Sequence, residues 1–259
     1  MMELLGIAIC AITISDMHVS LAPQALFSLG SVTVTNSMLT TAISSILLIV
    51  ALVWAARKVT LKPAGGFAGT YEAICSTIFD QAEQTFGSGE VALRYFPLLA
   101  TFFIVILLGN TLGLLPGFDT LELGGVPVFR SVTTDLNTTV ALAIISVVLT
   151  QVYAIRRLGI IANLHRYFST NPLMNVLGLL EIFLELTRLI SFSFRLFGNI
   201  FAGEVMLIII GSLVPILGPS PFWGFELFIG FIQAFVFTML TMVFISLAID
   251  PTTHAEPSH

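Results

Sequence analysis

Residues 173–214 read LMNVLGLLEIFLELTRLISFSFRLFGNIFAGEVMLIIIGSLV, an apolar run carrying a handful of charges. As a helix rising 1.5 Å per residue the run is roughly 63 Å long, about twice the hydrocarbon thickness of a bilayer. Asn171-Pro172 ahead of it reads as a cap followed by proline at the first helical position, and Pro215 closes it. No proline falls between, and Gly178, Gly198, Gly203 and Gly211 come without turn partners. The pattern predicts one long helix, tilted well beyond the usual range, in preference to two spans joined by a tight break.

The rest of the chain fits the same solvent. Of its 259 residues 56% are hydrophobic and 10% charged, whereas a soluble domain carries about 25% charged residues. Further apolar runs at 37–56, 96–116 and 139–155 precede the long one, and 222–249 follows it. The expected fold is therefore an all-α integral membrane protein, one membrane domain over 1–259 with about five membrane helices. A net charge of −5 excludes nucleic-acid binding as the main reading. Cys10 and Cys75 offer no disulfide framework or CxxC pair, and His18, His165, His254 and His259 make no metal-ligand spacing, so no metal or cofactor is expected.

Lys and Arg gather in short cytoplasmic loops, which orients the chain. Arg57, Lys58, Lys62 and Arg94 fall between the first two spans and Arg156, Arg157 and Arg166 between the third and fourth, seven of the ten basic residues. Arg130 falls in the opposite loop with Asp119, Glu122 and Asp135. Segment 1–36 is thus expected outside and, after five crossings, the 250–259 tail in the cytoplasm; a break in the long helix would send the tail outside. Residues 1–15 are either an interfacial segment or a cleaved signal, with Glu3 standing where a signal peptide has a basic residue. In 63–92, Phe67, Tyr71, Ile74 and Ile78 recur at helical spacing while Glu72, Asp80 and Glu83 lie elsewhere on the wheel. That predicts a cytoplasmic amphipathic helix lying on the membrane, against a partner, or on its own bundle.

An arginine at the centre of a membrane helix costs roughly 2.5 to 3.5 kcal/mol, so charges there call for a purpose. Glu181, Glu185, Arg188, Arg195 and Asn199 follow at steps that keep them within roughly 80° of one another on a helix, a single polar stripe. Glu204, about 900° beyond Arg195, falls on the opposite face. Arg188 can pair with Glu181 or Glu185, a structural role; Arg195 has no acid within four residues, and its counter-charge must come from elsewhere. Glu226 and Gln233 share a face of the last helix, and a short turn would bring Glu226 near Glu204. Two carboxylates in a low dielectric do not easily both ionise, which suits a proton relay. Amides such as Asn199 and Gln233 also serve as ordinary interhelical glue.

Ser193-Phe194-Arg195-Leu196-Phe197-Gly198-Asn199-Ile200-Phe201-Ala202-Gly203-Glu204 resembles the signature of subunit a of F-type ATP synthases, the stator of a rotary ion channel. The resemblance extends to Asn110-Thr111-Leu112-Gly113-Leu114-Leu115-Pro116, to Thr134-Asp135-Leu136-Asn137-Thr138-Thr139 and to Gln233-Ala234-Phe235-Val236-Phe237, and so covers about 18–248 in the right order. It implies that the last two helices form a tilted hairpin against a ring of c subunits. It further implies partners in peripheral-stalk b subunits and the remaining complex. The absence of a transit peptide favours a bacterial plasma membrane over an organelle membrane, although an organelle-encoded protein would lack one too. Arg195 matches the arginine whose fixed positive charge favours loss of the proton from each arriving ring carboxylate and blocks leakage between two offset half-channels. Glu204 and Glu226 match paired polar positions of the outside half-channel, one of which is His in some members. Asn199 and Gln233 would order water or hold Arg195; Asn110, Asp135 and Asn137 would line the outside approach; Glu181, Glu185 and Arg188 would belong to the inside stripe.

A downhill proton brings about 2.3 kcal/mol per 100 mV, so several must be summed through rotation to make ATP. The chain has no GxxxxGK[ST] loop and is not expected to be an enzyme on its own. A secondary transporter would show an internal repeat with interrupted helices, and an intramembrane protease a GxS or HExxH motif. The sequence shows no such repeat, and neither GxS nor HExxH falls in a span.

Overall fold

The computed structural model describes residues 24–29, 32–58, 67–114, 122–123, 126–127, 130–167, 172–214 and 218–249. The expectations for 1–15, Lys62, Asp119, the side chains of Phe67, Tyr71 and Arg166, and the 250–259 tail lie outside the described residues. In chain order the elements are β1 (Ala25–Leu29), β2 (Val32–Thr35), α1 (Asn36–Lys58), α2 (Phe67–Phe86), α3 (Gly89–Gly113), β3 (Glu122–Leu123), β4 (Val126–Pro127), a 3-10 turn (Val132–Thr134), α4 (Leu136–Leu158), α5 (Ile160–Tyr167), α6 (Pro172–Leu213) and α7 (Pro219–Ile249). Among the described residues five helices, α1, α3, α4, α6 and α7, are long and apolar enough to cross a membrane. The chain is an all-α integral membrane protein with two short antiparallel hairpins, β1–β2 and β3–β4, which the sequence reading did not predict.

Helix boundaries differ from the apolar runs for a physical reason. A helix continues past the hydrocarbon for as long as its backbone is unbroken, so charged turns are added at the watery ends. The second span, expected from 96, starts at Gly89 and carries Glu90, Arg94 and an internal Pro97. The third, expected at 139–155, covers Leu136–Leu158 with Arg156 and Arg157 in its last turn. The amphipathic segment expected over 63–92 ends at Phe86: Gly87 takes φ 68° and its N–H bonds to the Glu83 carbonyl at 2.9 Å, a left-handed helix stop. On α2, Ile78 is buried while Glu72, Asp80 and Glu83 are exposed. The long run forms a single helix of 42 residues.

The backbone divides into two compact units, one of Met1–Leu48, Ile106–Leu136 and Leu196–Gln233, the other of Ile49–Val105, Asn137–Arg195 and Ala234–His259. In the first, the β1–β2 hairpin leads directly into α1. Asn36 Oδ1 accepts the Ser37 N–H at 2.9 Å, a donor the helix start leaves open, and the Gln24 N–H ahead of β1 at 3.2 Å. Residues 130–135 pack onto this start: Ser37 Oγ donates to Asp135 Oδ2 at 2.6 Å, and the Arg130 N–H to Thr40 Oγ1 at 3.2 Å. Gly113 lets Ser131 lie against α3, since a Cβ there would collide with the Ser131 side chain and come within 3.1 Å of its Cα.

The second unit is built on small residues and aromatics. Thr139, Ala143, Ser146, Thr150 and Ala154 form the buried face of α4, a spacing of small side chains that lets membrane helices approach closely. Ser146 and Thr241 share a hydroxyl hydrogen bond of 3.0 Å, Thr139 and Ser193 one of 3.3 Å. Phe192 contacts Phe237 and Phe244, and Tyr95 contacts Tyr153 edge-on.

Helix α5, which the sequence reading did not anticipate, is set between two glycines. Gly159, at φ 91°, turns the chain out of α4. On α6, a Cβ at Gly178 would collide with the Tyr167 carbonyl and lie 2.8 Å from its carbon, so the end of α5 rests on bare backbone. Gly178→Val is expected to destabilise this unit by about 1 to 3 kcal/mol through overpacking. The check is faster proteolysis of the 159–172 stretch in the purified complex; equal cleavage of variant and wild type would show that the seat has no structural weight.

Candidate functional site

The stripe residues of α6 meet different surroundings. Glu185 is enclosed by polar contacts: Tyr167 OH donates to its Oε1 at 2.6 Å, and Gln151 Nε2 donates to the same oxygen. Asn163 Nδ2 reaches Gln151 Oε1 at 3.4 Å, while the buried Asn163 Oδ1 has no hydrogen-bond partner among the described residues. Arg188 lies with its guanidinium carbon 3.5 Å from the centre of the Phe244 ring, a cation–π contact. Glu181 is half-buried on the same helix.

Arg195 differs from Arg188. It is exposed on α6, and its guanidinium donates to Ser191 Oγ, one turn back, at 3.3 Å. No carboxylate pairs with it among the described residues. Only 11% of the most apolar stretch of α6 is buried within the chain, against 44% for α7. The face carrying Arg195 is therefore left to lipid or to another protein, and a bare guanidinium against lipid is the costly alternative.

The first unit holds the remaining candidates except Asn137, which belongs to the second. Asn199 Nδ2 donates to Gln233 Oε1 at 2.7 Å, tying α6 to α7. Glu226 is 2% exposed and its carboxylate presses on Gly203: a Cβ there would collide with Oε1 and lie 2.7 Å from Cδ. Glu204, next along α6, is within electrostatic reach of Glu226. Asn110 on α3 donates from Nδ2 to the Gly230 carbonyl at 3.0 Å, where Gly230 keeps the helices close enough for the bond. Asp135 is buried and held by Ser37; Asn137 is exposed in the first turn of α4.

Three buried polar atoms in this group have no hydrogen-bond partner among the described residues: Asn110 Oδ1, Glu226 Oε2 and Gln233 Nε2. Left dry, each costs about 1 to 3 kcal/mol. Two acceptors and a donor in adjoining helices can instead be satisfied by water.

Sequence reasoning missed Gln151, Asn163 and Tyr167, which lie far from Glu185 along the chain and carry no pattern of their own. It missed the seat that Gly203 makes for Glu226, although Gly203-Glu204 stood in the quoted motif. It also took Arg130 for a loop cation. The structure buries it at 8% exposure, with Nε donating to Thr134 Oγ1 at 3.2 Å; its solitude among acids in that loop was the available signal.

Comparison with known proteins agrees with this geometry. The family model described as ATP synthase A chain matches residues 38–246. ATP synthase subunit a of Moorella thermoacetica is 33% identical over 224 residues, covering 86% of this chain and 95% of the relative. Its counterpart in Campylobacter jejuni is 34% identical over 203 residues, 78% of this chain and 84% of the relative. With all but the outermost few residues of its five membrane helices inside the matched range, the chain belongs to the ATP synthase A chain family.

Proposed function

We propose that the chain is the stator of a rotary proton channel, with Arg195 standing between two offset half-channels and facing the carboxylates of a c-subunit ring. Family membership makes it a multi-pass membrane subunit of ATP synthase that serves proton translocation through the membrane sector and is not the catalytic subunit. The observation that carries the finer reading is Arg195 itself, exposed on an apolar helix and without a carboxylate partner among the described residues. A cation so placed calls for an anion from another chain, and a ring of carboxylates supplies one after another. Its fixed charge favours the ionised form of each arriving carboxylate, releasing the proton on one side and repelling protons that would slip through directly.

In this scheme Glu204 and Glu226 relay protons in the outside half-channel. Asn110, Asp135 and Asn137 line its approach, and the Asn199–Gln233 pair orders water. The unpartnered atoms of Asn110, Glu226 and Gln233 support a hydrated path. Glu181, Glu185 and Arg188 belong to the cytoplasmic half-channel, with Tyr167 and Gln151 fixing the Glu185 carboxylate. The N-terminus is outside and the C-terminus in the cytoplasm of a bacterial plasma membrane, with b subunits completing the stator.

The test is proton uptake by vesicles holding the reconstituted complex under an imposed potential. Glu204→Gln is expected to slow uptake by about tenfold, because Glu204 is half-exposed and water partly replaces it. Unchanged flux in a fully assembled complex would remove Glu204 from the path.

A further inference from the structure

A cavity of about 560 Å³ opens in the second unit where four helices end, lined by Thr85 of α2, Glu90 and Arg94 of α3, Arg157 of α4, and Ser246 and Ile249 of α7 among others. Ser246 Oγ donates to the Thr85 carbonyl at 3.3 Å, which fixes the end of α7 against α2. The arginines are the unusual part. Arg94 and Arg157 are both exposed and share this one cavity, and neither has a hydrogen-bond or ion-pair partner among the described residues. Glu90 lies one turn before Arg94 but pairs with neither guanidinium among those residues, so the lining carries two positive charges against one negative. Val91, in the first turn of α3, also lines the cavity, and a first turn presents backbone N–H groups without helical acceptors.

Two arginine side chains lining one polar cavity repel each other unless an anion lies between them. The height of the cavity says which kind. It sits at the first turn of α3, the last turn of α4 and the last residue of α7, all of them candidate membrane spans. It is on the side where the sequence places most of its loop arginines. That is the level of the phospholipid headgroups, where basic pockets between helix ends take anionic lipids. Phe86, Val91 and Ile249 give it apolar walls, and Leu93 beside it is 61% exposed. We infer that this cavity is a binding site for the phosphodiester headgroup of an anionic phospholipid, gripped by Arg94 and Arg157, with the acyl chains running down the outside of the helices. Arginine suits the task because its planar fork offers paired donors to phosphate oxygens.

The test uses the assembled complex carrying the wild-type chain or the double variant Arg94→Gln, Arg157→Gln. Both are stripped of lipid in neutral detergent and titrated with phosphatidylglycerol, phosphatidylcholine or inorganic phosphate, bound ligand being counted by native mass spectrometry. The wild type is expected to take up one phosphatidylglycerol with about tenfold or more higher affinity than the variant, the effect of losing charge-assisted contacts. Phosphatidylcholine should not distinguish the two, and millimolar phosphate should not displace the lipid. Equal phosphatidylglycerol affinity overturns the proposal. Displacement by inorganic phosphate overturns the lipid as occupant in favour of a free anion. A photoreactive phosphatidylglycerol added to the wild type alone should label peptides containing 84–95 or 246–249. Labelling elsewhere only would overturn the proposal even if the double variant fails to assemble.

Discussion

Arg195→Ala is expected to abolish proton-driven ATP synthesis in membranes that still contain the assembled complex. Removing a guanidinium from an apolar helix relieves an insertion cost of about 2.5 to 3.5 kcal/mol, so the loss cannot be laid to poor insertion. On the proposed function, what disappears is the charge that biases ionisation of each facing carboxylate, an influence of about 10- to 1,000-fold for an opposite charge at contact distance. The barrier between the half-channels goes with it, and passive proton conductance of the membrane sector should persist or rise while synthesis stops. Arg195→Lys keeps a charge but loses the planar fork, and should restore the barrier better than it restores turnover. Measuring ATP synthesis and passive proton uptake on the same vesicles separates the two effects. Synthesis surviving in the alanine variant would overturn the assignment of Arg195.

Glu226→Gln should give the second large loss. Gln has nearly the same shape and can rest on Gly203 as Glu226 does, so packing and assembly should be preserved. It cannot release or accept a proton in the relay, and a positioned acid–base group contributes about a hundredfold or more to a proton-transfer step. Proton uptake is therefore expected to fall by about that factor, well beyond the tenfold expected for the more open Glu204. Gly203→Val tests the same point from the other helix. The carboxylate at 226 is chemically intact but must leave its seat, and flux should fall although no titratable group has been changed. Normal flux in both variants, with normal assembly, would take Glu226 out of the path.

The five apolar helices were legible because bilayer thickness imposes a length that hydropathy records directly. The continuity of α6 was legible from missing prolines and from the caps at its two ends. Where the sequence reading stopped short, the controlling contact joined distant residues. Tyr167 and Gln151 are 18 and 34 residues from Glu185, and no periodicity connects them. Helix α5 has eight residues, too few to register as a span. Span starts were placed late because Glu90 and Arg94 resemble the end of a membrane run, whereas the α3 backbone continues through them. The stripe from Glu181 to Asn199 could be drawn on a wheel from spacing alone. That Glu185 sits in a hydrogen-bonded cage while Arg195 is exposed, with Ser191 Oγ as its acceptor and no carboxylate among the described residues, is a tertiary fact, and it separates residues that the wheel treats alike.

The small-residue face of α4 has a mechanical side. Alanine has no rotamers, and a serine or threonine hydroxyl tied to a neighbour has one, so Ala143, Ser146, Thr150 and Ala154 leave nothing in the seam that can yield by swapping side-chain conformations. A load on this unit passes straight into helix backbones, which are stiff. A part that must stay still while something turns against it is well served by a joint with so little compliance.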